Sequence, residues 1–215
     1  MSYIAERRVE EKERRRGEIL DSAVRLYAEK GWDAVTMDQV ARSARLSRAL
    51  LYVYFRDKEE LLYGIGAVAL SVLREHCLAA VARSGSGLEQ VEAIGRAYMA
   101  YAQEYPHYFD VCARFQAHSV SPDPGSNEGA CAAAGDEALG VVVTAIRAGL
   151  ADGSIRQGLG DPMLLAVSLW AFTHGIIQLA MTKGRDLEHL QIAVPTFTEY
   201  AFGLLTSLTA APKTA

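Results

Sequence analysis

Val35-Thr36-Met37-Asp38-Gln39-Val40-Ala41-Arg42-Ser43-Ala44-Arg45-Leu46-Ser47-Arg48-Ala49-Leu50-Leu51-Tyr52-Val53-Tyr54-Phe55 is the stretch that decides the fold. Thr36 stands three residues before Gln39, the spacing of a capping box. In that motif the hydroxyl takes the third backbone N–H of a helix and the amide reaches back to the cap. Val35 and Val40 occupy the hydrophobic-staple positions around the box. Ser47 is a second cap, with Leu46 and Leu51 placed to staple it. The spacing predicts two helices of about eight residues, from Met37 and from Arg48, joined by a tight turn at Arg45-Leu46. Helices this short do not stand alone and must pack on a longer one. Ile19, Ala23, Leu26 and Tyr27 supply it: an apolar stripe that ends at Gly31, a natural helix stop. Asp57, with Glu60 at the box position, caps a fourth helix.

Two short capped helices joined by a tight turn and braced by a third make a helix-turn-helix. The second helix of such a unit enters the DNA major groove with its N-terminal residues on base edges. Leu51 and Phe55, four apart, are expected to face the core. Arg48, Ala49, Tyr52 and Val53 then fall on the other side.

The segment also resembles a known family. Val35-Thr36-Met37-Asp38-Gln39-Val40-Ala41, followed by Leu46-Ser47-Arg48-Ala49-Leu50-Leu51-Tyr52-Val53-Tyr54-Phe55-Arg56-Asp57-Lys58-Glu59-Glu60-Leu61, is similar to the DNA-binding domain of TetR-type regulators over roughly residues 14–64. The resemblance implies that Thr36, Tyr52, Tyr54 and Lys58 lie near phosphates, with Arg48 and its neighbours near bases. The expected DNA-binding set is Thr36, Arg45, Ser47, Arg48, Ala49, Leu50, Tyr52, Val53, Tyr54 and Lys58. Three positions depart from the family's pattern. Arg45 stands where the family usually has Gly in the turn, Ala49-Leu50 replaces a small Gly-Thr pair, and Tyr54 replaces a His. If the turn requires positive φ, Arg45 carries modest strain.

Outward from this unit nearly every segment reads as helix. Ala, Leu, Glu and Arg dominate, and β-branched alternation is almost absent. Residues 5–16 are nearly all charged, with Glu10–Arg14 and Glu11–Arg15 four apart, which predicts an exposed helical lead-in or a partly ordered arm. Downstream, helices are expected at Lys58–Arg83, Leu88–Glu104, from Pro106 to about His118, and at about Glu128–Asp152, Asp161–Lys183 and Asp186–Thr209. The fold class is therefore all-α, about nine helices. It divides into a helix-turn-helix domain with its N-terminal arm (1–60) and a helical ligand-binding and dimerisation domain (61–215).

The C-terminal part carries a second resemblance. Leu169-Trp170-Ala171-Phe172-Thr173-His174-Gly175-Ile176-Ile177-Gln178-Leu179 is similar to the Trp…His-Gly segment of one TetR C-terminal subgroup, and Glu104-Tyr105-Pro106-His107-Tyr108-Phe109 fits that subgroup too. This implies a sensor and dimerisation domain and names no ligand.

Charge is distributed unevenly. Residues 1–60 hold 13 of the 22 Lys+Arg and 12 of the 26 Asp+Glu, a net of +1, whereas the whole chain carries −4. A DNA-binding segment need not make the whole protein basic. The three cysteines, Cys77, Cys112 and Cys131, are odd in number and widely spaced, which argues for reduced thiols in the cytoplasm rather than a disulfide framework or a zinc site. The N-terminus lacks the pattern of a signal peptide. Pro162–Met181 carries no Lys, Arg, Asp or Glu, but it contains Ser168, Thr173, His174 and Gln178. It is read as a helix buried on most sides rather than a membrane span.

No nucleophile elbow, zinc-protease, phosphate-loop or dinucleotide-binding motif is present, so no enzymatic role, metal or cofactor is expected. Tyr98, Met99, Phe109, Cys112, Phe115, Trp170 and His174 supply aromatic or adaptable walls for a small apolar or aromatic ligand. Leu165, Leu169, Phe172 and Ile176, with Phe197, Ala201, Leu204, Leu205 and Leu208, repeat at three and four and are expected at a homodimer interface. The partners expected are double-stranded operator DNA, the ligand and a second copy of the chain, with no membrane. The function expected is a ligand-responsive regulator, a repressor released from its operator. The alternative is a DNA-binding or architectural protein without a ligand.

Overall fold

The computed structural model describes residues 3–114 and 121–212. Among the described residues the chain has ten α-helices and no strand; one isolated antiparallel bridge pairs Ile155 with Ala210. The helices are α1 (Tyr3–Lys30), α2 (Met37–Ser43), α3 (Arg48–Tyr54), α4 (Lys58–Val81), α5 (Gly87–Glu104), α6 (Pro106–Arg114), α7 (Asn127–Asp152), α8 (Pro162–Thr182), α9 (Gly184–His189) and α10 (Val194–Thr209). A short 3₁₀ turn, Trp32–Ala34, follows α1.

The chain forms two compact units, one from residues 1–70 with 107–134, the other from residues 71–106 with 135–215. In the first unit one core gathers Ile19, Ala23 and Tyr27 of α1, Trp32 and Val35 from the turn between α1 and α2, Val40 and Ala41 of α2, Leu51 of α3 with Phe55, and Leu61 and Ile65 of α4. Val111 of α6 completes it. Leu51, Phe55, Leu61, Ile65 and Val111 are fully shielded from solvent. Each contributes at most about 1.5–3 kcal/mol by leaving water. In this way a seven-residue α3 is held rigid although it is too short to fold alone.

The caps anticipated from sequence are present. Thr36 Oγ1 accepts from the Gln39 N–H at 3.3 Å, and Gln39 Oε1 accepts from the Thr36 N–H at 3.0 Å. Ser47 Oγ accepts from Leu50 N–H at 3.2 Å. Asp161 Oδ1 accepts from Met163 and Leu164 N–H at the start of α8, where Pro162 needs no partner.

Several boundaries differ from the expectation. The charged lead-in is continuous helix with the apolar stripe in a 28-residue α1, held by Arg14 and Arg15 pairing with Glu11 and Glu18. At α4 the expected cap is present, Asp57 Oδ1 accepting from the Glu60 N–H at 2.8 Å, but Glu60 Oε2 reaches back to the Arg56 N–H instead of the Asp57 N–H. α6 ends at Arg114, and the rest of the helix expected to His118 lies outside the described residues. The single helix expected from Asp186 to Thr209 is two, because Gln191 adopts φ 60 and Pro195 opens α10 within its first turn. A non-glycine residue in the left-handed region cannot continue an α-helix.

The second unit has its own core of Val143, Ile146, Ile155, Ala166 and Leu169, with Leu88, Leu165 and Leu205 packed around it. Within a single chain α8 is buried along one side only. Ala166, Leu169, Thr173 and Ile177 turn inward, while Met163, Leu164, Val167, Trp170, Phe172 and Leu179 face solvent. Among the described residues three helices, α4, α7 and α8, are long and apolar enough to cross a membrane by length and composition alone.

Candidate nucleic-acid interface

α3 divides cleanly between core and solvent. Leu51 and Phe55 anchor it, and on its other side Arg48, Ala49, Leu50, Tyr52 and Val53 are exposed. Val53 is 72% exposed on a helix whose opposite face is dry. An apolar side chain so placed gains nothing from the fold; thymine methyls in a major groove are the kind of surface it suits. The helix thereby offers one cation, three aromatic or aliphatic side chains in Leu50, Tyr52 and Val53, and a small residue at Ala49.

The cation is not idle in the free protein. Arg48 Nε lies 3.1 Å from the Asp38 carboxylate on α2, and its guanidinium lies 5.6 Å from the Tyr52 ring centroid. The contact with Tyr52, and then Asp38, holds its pKa above the ordinary arginine value. Asp38 had no place in the sequence expectation, although ten residues across a tight turn is the separation at which α2 and α3 meet.

Tyr54 and Lys58 are less free than expected. Tyr54 packs partly against the core. Lys58 Nζ donates to the Trp32 carbonyl at 2.6 Å and sits 5.0 Å from the Trp32 ring centroid. Burial there lowers its pKa from the usual lysine value. Lys58 therefore joins the start of α4 to the turn after α1. The sequence signal was an aromatic residue directly after the helix-stopping Gly31, which periodicity does not weigh. Thr36, Arg45 and Ser47 are exposed beside α3. Arg45 has φ 56, the left-handed conformation that a glycine adopts without cost.

Two further links involve the far segment of this unit. Arg16 lays its guanidinium 5.5 Å from the Phe55 ring centroid and donates to Asn127 Oδ1 at the start of α7. Tyr27 donates its hydroxyl to Asp110 of α6, which also accepts from Arg114 Nε at 2.7 Å. Burial and the Asp110 carboxylate push the Tyr27 phenol well above its ordinary range.

The expected ligand-pocket residues fall in both units. Phe109 is buried and Cys112 half-buried, and both lie in the first unit; Phe115 lies outside the described residues. Trp170 is half-exposed on the outward side of α8. Tyr98 and His174 are brought into contact, Tyr98 Oη lying 2.9 Å from His174 Nδ1 between α5 and α8, with Met99 half-buried beside Tyr98. Tyr98, Tyr101 and Tyr105 run along α5 with successive ring centroids 6.2 and 5.7 Å apart, and His76 of α4 meets Tyr101 and Tyr105 edge-on. Burial lowers the His174 pKa, and it pushes the Cys77 and Cys131 thiols up to about 11 and about 12, which leaves both unreactive near neutrality. Among the described residues no group of three or more His, Cys, Asp or Glu is arranged to hold a metal ion.

Of the expected interface residues, Leu165, Leu169 and Leu205 belong to the second unit's own core, and Ile176, Phe197 and Ala201 are half-buried. Phe172, Leu204 and Leu208 are exposed.

Comparison with known proteins agrees with this architecture. Residues 19–64 match the family model of bacterial regulatory proteins of the tetR family, and residues 91–194 match the tetracyclin repressor-like C-terminal domain. The chain is 38% identical over 82 residues to the HTH-type transcriptional regulator BetI of Rhizobium meliloti (strain 1021). That match spans 38% of this chain and only 40% of the regulator's length. Among solved structures, a protein of unknown function from Rhodococcus sp. RHA1 superposes with a TM-score of 0.72 at 23% identity, covering 91% of this chain and 95% of that one. The transcriptional regulator FadR from Bacillus subtilis, solved with stearoyl-CoA, superposes with a TM-score of 0.67 at 16% identity, covering 89% and 97%. At these identities the two structures speak for the fold.

Proposed function

We propose, for a chain that belongs to the TetR family of bacterial regulatory proteins, that it is a homodimeric, cytoplasmic transcription regulator, a repressor released from operator DNA by a small apolar ligand. The observation that carries the DNA reading is the exposed row Arg48, Ala49, Tyr52 and Val53 on a helix locked from behind by Leu51 and Phe55. That row, flanked by Thr36, Arg45, Ser47 and Leu50, serves as the base-reading surface, while Tyr54 and Lys58 lie at its phosphate edge.

The dimer reading rests on the outward faces of α8 and α10. Leu164, Trp170, Phe172, Tyr200, Leu204 and Leu208 are large, apolar and exposed. A surface of this kind is stable in water when another surface covers it. A two-fold dimer also gives two recognition helices, as a near-palindromic site requires. For the ligand, Tyr98 and His174 form a hydrogen-bonding pair inside an aromatic helical unit, the composition of a site with apolar walls and one or two polar anchors.

Selection from random-sequence duplexes with the purified chain tests the first part: a near-palindromic site should be enriched, and uniform binding to all sequences would overturn it. A thermal-shift screen of fatty acids, acyl thioesters and aromatic acids tests the second. Compounds that raise Tm should weaken the selected site by about 5–150-fold, the usual range of coupling. Stabilising compounds that leave DNA affinity unchanged would remove the switch.

A further inference from the structure

Val53 stands opposite the buried side of α3. At about 3.6 residues per turn, the line between Leu51 and Phe55 faces the core and Val53 falls on the reverse of it, with Ala49 on one flank and Leu50 on the other. Arg48 and Tyr52 form the next line along, one turn apart and stacked on each other. The crown of the exposed side is therefore an aliphatic ridge, with Val53 72% and Leu50 40% exposed. Covering either one would remove apolar area that the fold leaves in water.

The rim of that ridge is cationic. Between Met37 and Arg56 the chain carries four arginines, Arg42, Arg45, Arg48 and Arg56, and one carboxylate, Asp38. All four arginines are exposed. A second copy of the same face would be repelled, and a neutral apolar partner would leave the arginines without a counter-charge. A polyanion with apolar groups recessed between its charges answers both. Duplex DNA is such an object: phosphates border the major groove, and the thymine 5-methyl is the apolar group on its floor.

Guanine is the base that arginine reads most often, through both acceptors of its edge. Here the arginines beside the ridge are already engaged. Arg48 Nε pairs with Asp38 at 3.1 Å, Arg42 Nε donates to the Asp38 carbonyl at 3.3 Å, and Arg56 Nε pairs with Asp57 at 3.1 Å. Reading guanine breaks one of these contacts, whereas reading a methyl breaks none.

We infer that the ridge of Leu50 and Val53 selects DNA sites by their pyrimidine 5-methyl groups, thymine foremost, the small Ala49 side chain letting the base edge approach. The inference rests on the DNA reading above and names what that surface reads. It carries a regulatory corollary. 5-Methylcytosine holds its methyl at the same ring position as thymine, so cytosine methylation at such a base creates the contact.

The test uses the full chain and the duplex enriched by selection, with fluorescence anisotropy at fixed salt. Each thymine in turn is replaced by deoxyuridine in both half-sites, which removes the methyl and nothing else. At one or two positions Kd should rise about fourfold per half-site, the worth of one buried methyl group. Val53→Ala and Leu50→Ala, with helical circular dichroism unchanged, should bind the thymine and uracil duplexes alike at the position each side chain reads. Exchanging that T·A pair for C·G should weaken wild type, and 5-methylcytosine should recover about fourfold per half-site. Indifference to uracil at every thymine of a tightly bound site, or an enriched site without thymine, would overturn the inference and leave the DNA reading standing. So would a uracil penalty that persists in both variants, since it would then come from duplex shape. A chain that enriches no site overturns the DNA reading itself and the inference with it.

Discussion

Arg48, the first residue of α3, is held at 3.1 Å by Asp38 of α2, so the one cation on the exposed row is partly neutralised in the free protein. A phosphate or a guanine edge must compete with that carboxylate. Asp38→Asn is expected to tighten binding to all duplexes and to steepen the dependence of log K on log salt by about 0.9 if the freed guanidinium neutralises one further phosphate. Fluorescence anisotropy at four salt concentrations measures the slope. An unchanged slope would show that Arg48 reaches a base or nothing at all.

Lys58 combines two roles that the sequence alone separates poorly. Its ammonium donates to the Trp32 carbonyl and sits over the Trp32 ring. Lys58→Ala should therefore lower the stability of the full chain by about 1 kcal/mol, the scale of one partly solvated charged hydrogen bond with a ring contact. It should also weaken DNA binding without sequence preference. Urea unfolding monitored by circular dichroism gives the first quantity. A loss of DNA affinity with an unmoved urea midpoint would mean that the Trp32 contact adds nothing to folding.

Arg45 occupies φ 56 in the turn between α2 and α3. The left-handed region costs a side-chain-bearing residue roughly 1–2 kcal/mol, partly offset by the extra freedom glycine has when unfolded. Arg45→Gly should raise stability by roughly 0.5–1 kcal/mol, and Arg45→Val should lower it. Thermal melts of both variants decide the sign. A Gly variant less stable than wild type would locate a stabilising contact in the Arg45 side chain.

His174 ties stability to pH. Burial lowers its pKa below the ordinary 6.5, so the unfolded chain takes up a proton at a pH where the folded chain does not. The stabilisation is complete above about pH 7 and is lost progressively as pH falls through 6.5 toward the folded value, at up to about 1.4 kcal/mol per pH unit. His174→Asn keeps an acceptor for Tyr98 and removes the titration. The gap in urea midpoint between wild type and variant should narrow or reverse between about pH 7.5 and 5.5. A constant gap would place the imidazole in an environment no drier than water.

Local signals made the first unit legible. Cap residues act within three or four positions of themselves, so Thr36 with Gln39, and Ser47 with Leu50, announce two helix starts in the sequence. Relations formed across the chain were not legible. Nothing near Val111 tells that it shares a core with Leu51, and nothing near Trp32 tells that Lys58 seats on it. The break between α9 and α10 had a mark in Pro195, which cannot sit in a helix interior, whereas Gln191 with φ 60 carries none, as glycine would. On α8 the division of the apolar arc was not legible: Leu165 and Leu169, expected at an interface, serve the chain's own core, because periodicity reports an apolar arc and does not divide it between its own core and another surface.

The interleaving of the two units bears on how the chain is made. The core around α3 is closed by Val111, so it stays incomplete until more than fifty residues beyond α3 have left the ribosome. The second unit waits longer. α10, whose Glu199 reaches back 103 residues to Arg96, emerges last. At roughly 5–20 residues per second the outward-facing apolar side of α8 is synthesised seconds before α10, which packs on another side of α8, has been made. The molecule passes through a period in which its stickiest surface is finished and its fold is not, and its yield in a cell should depend on chaperones far more than its final stability suggests.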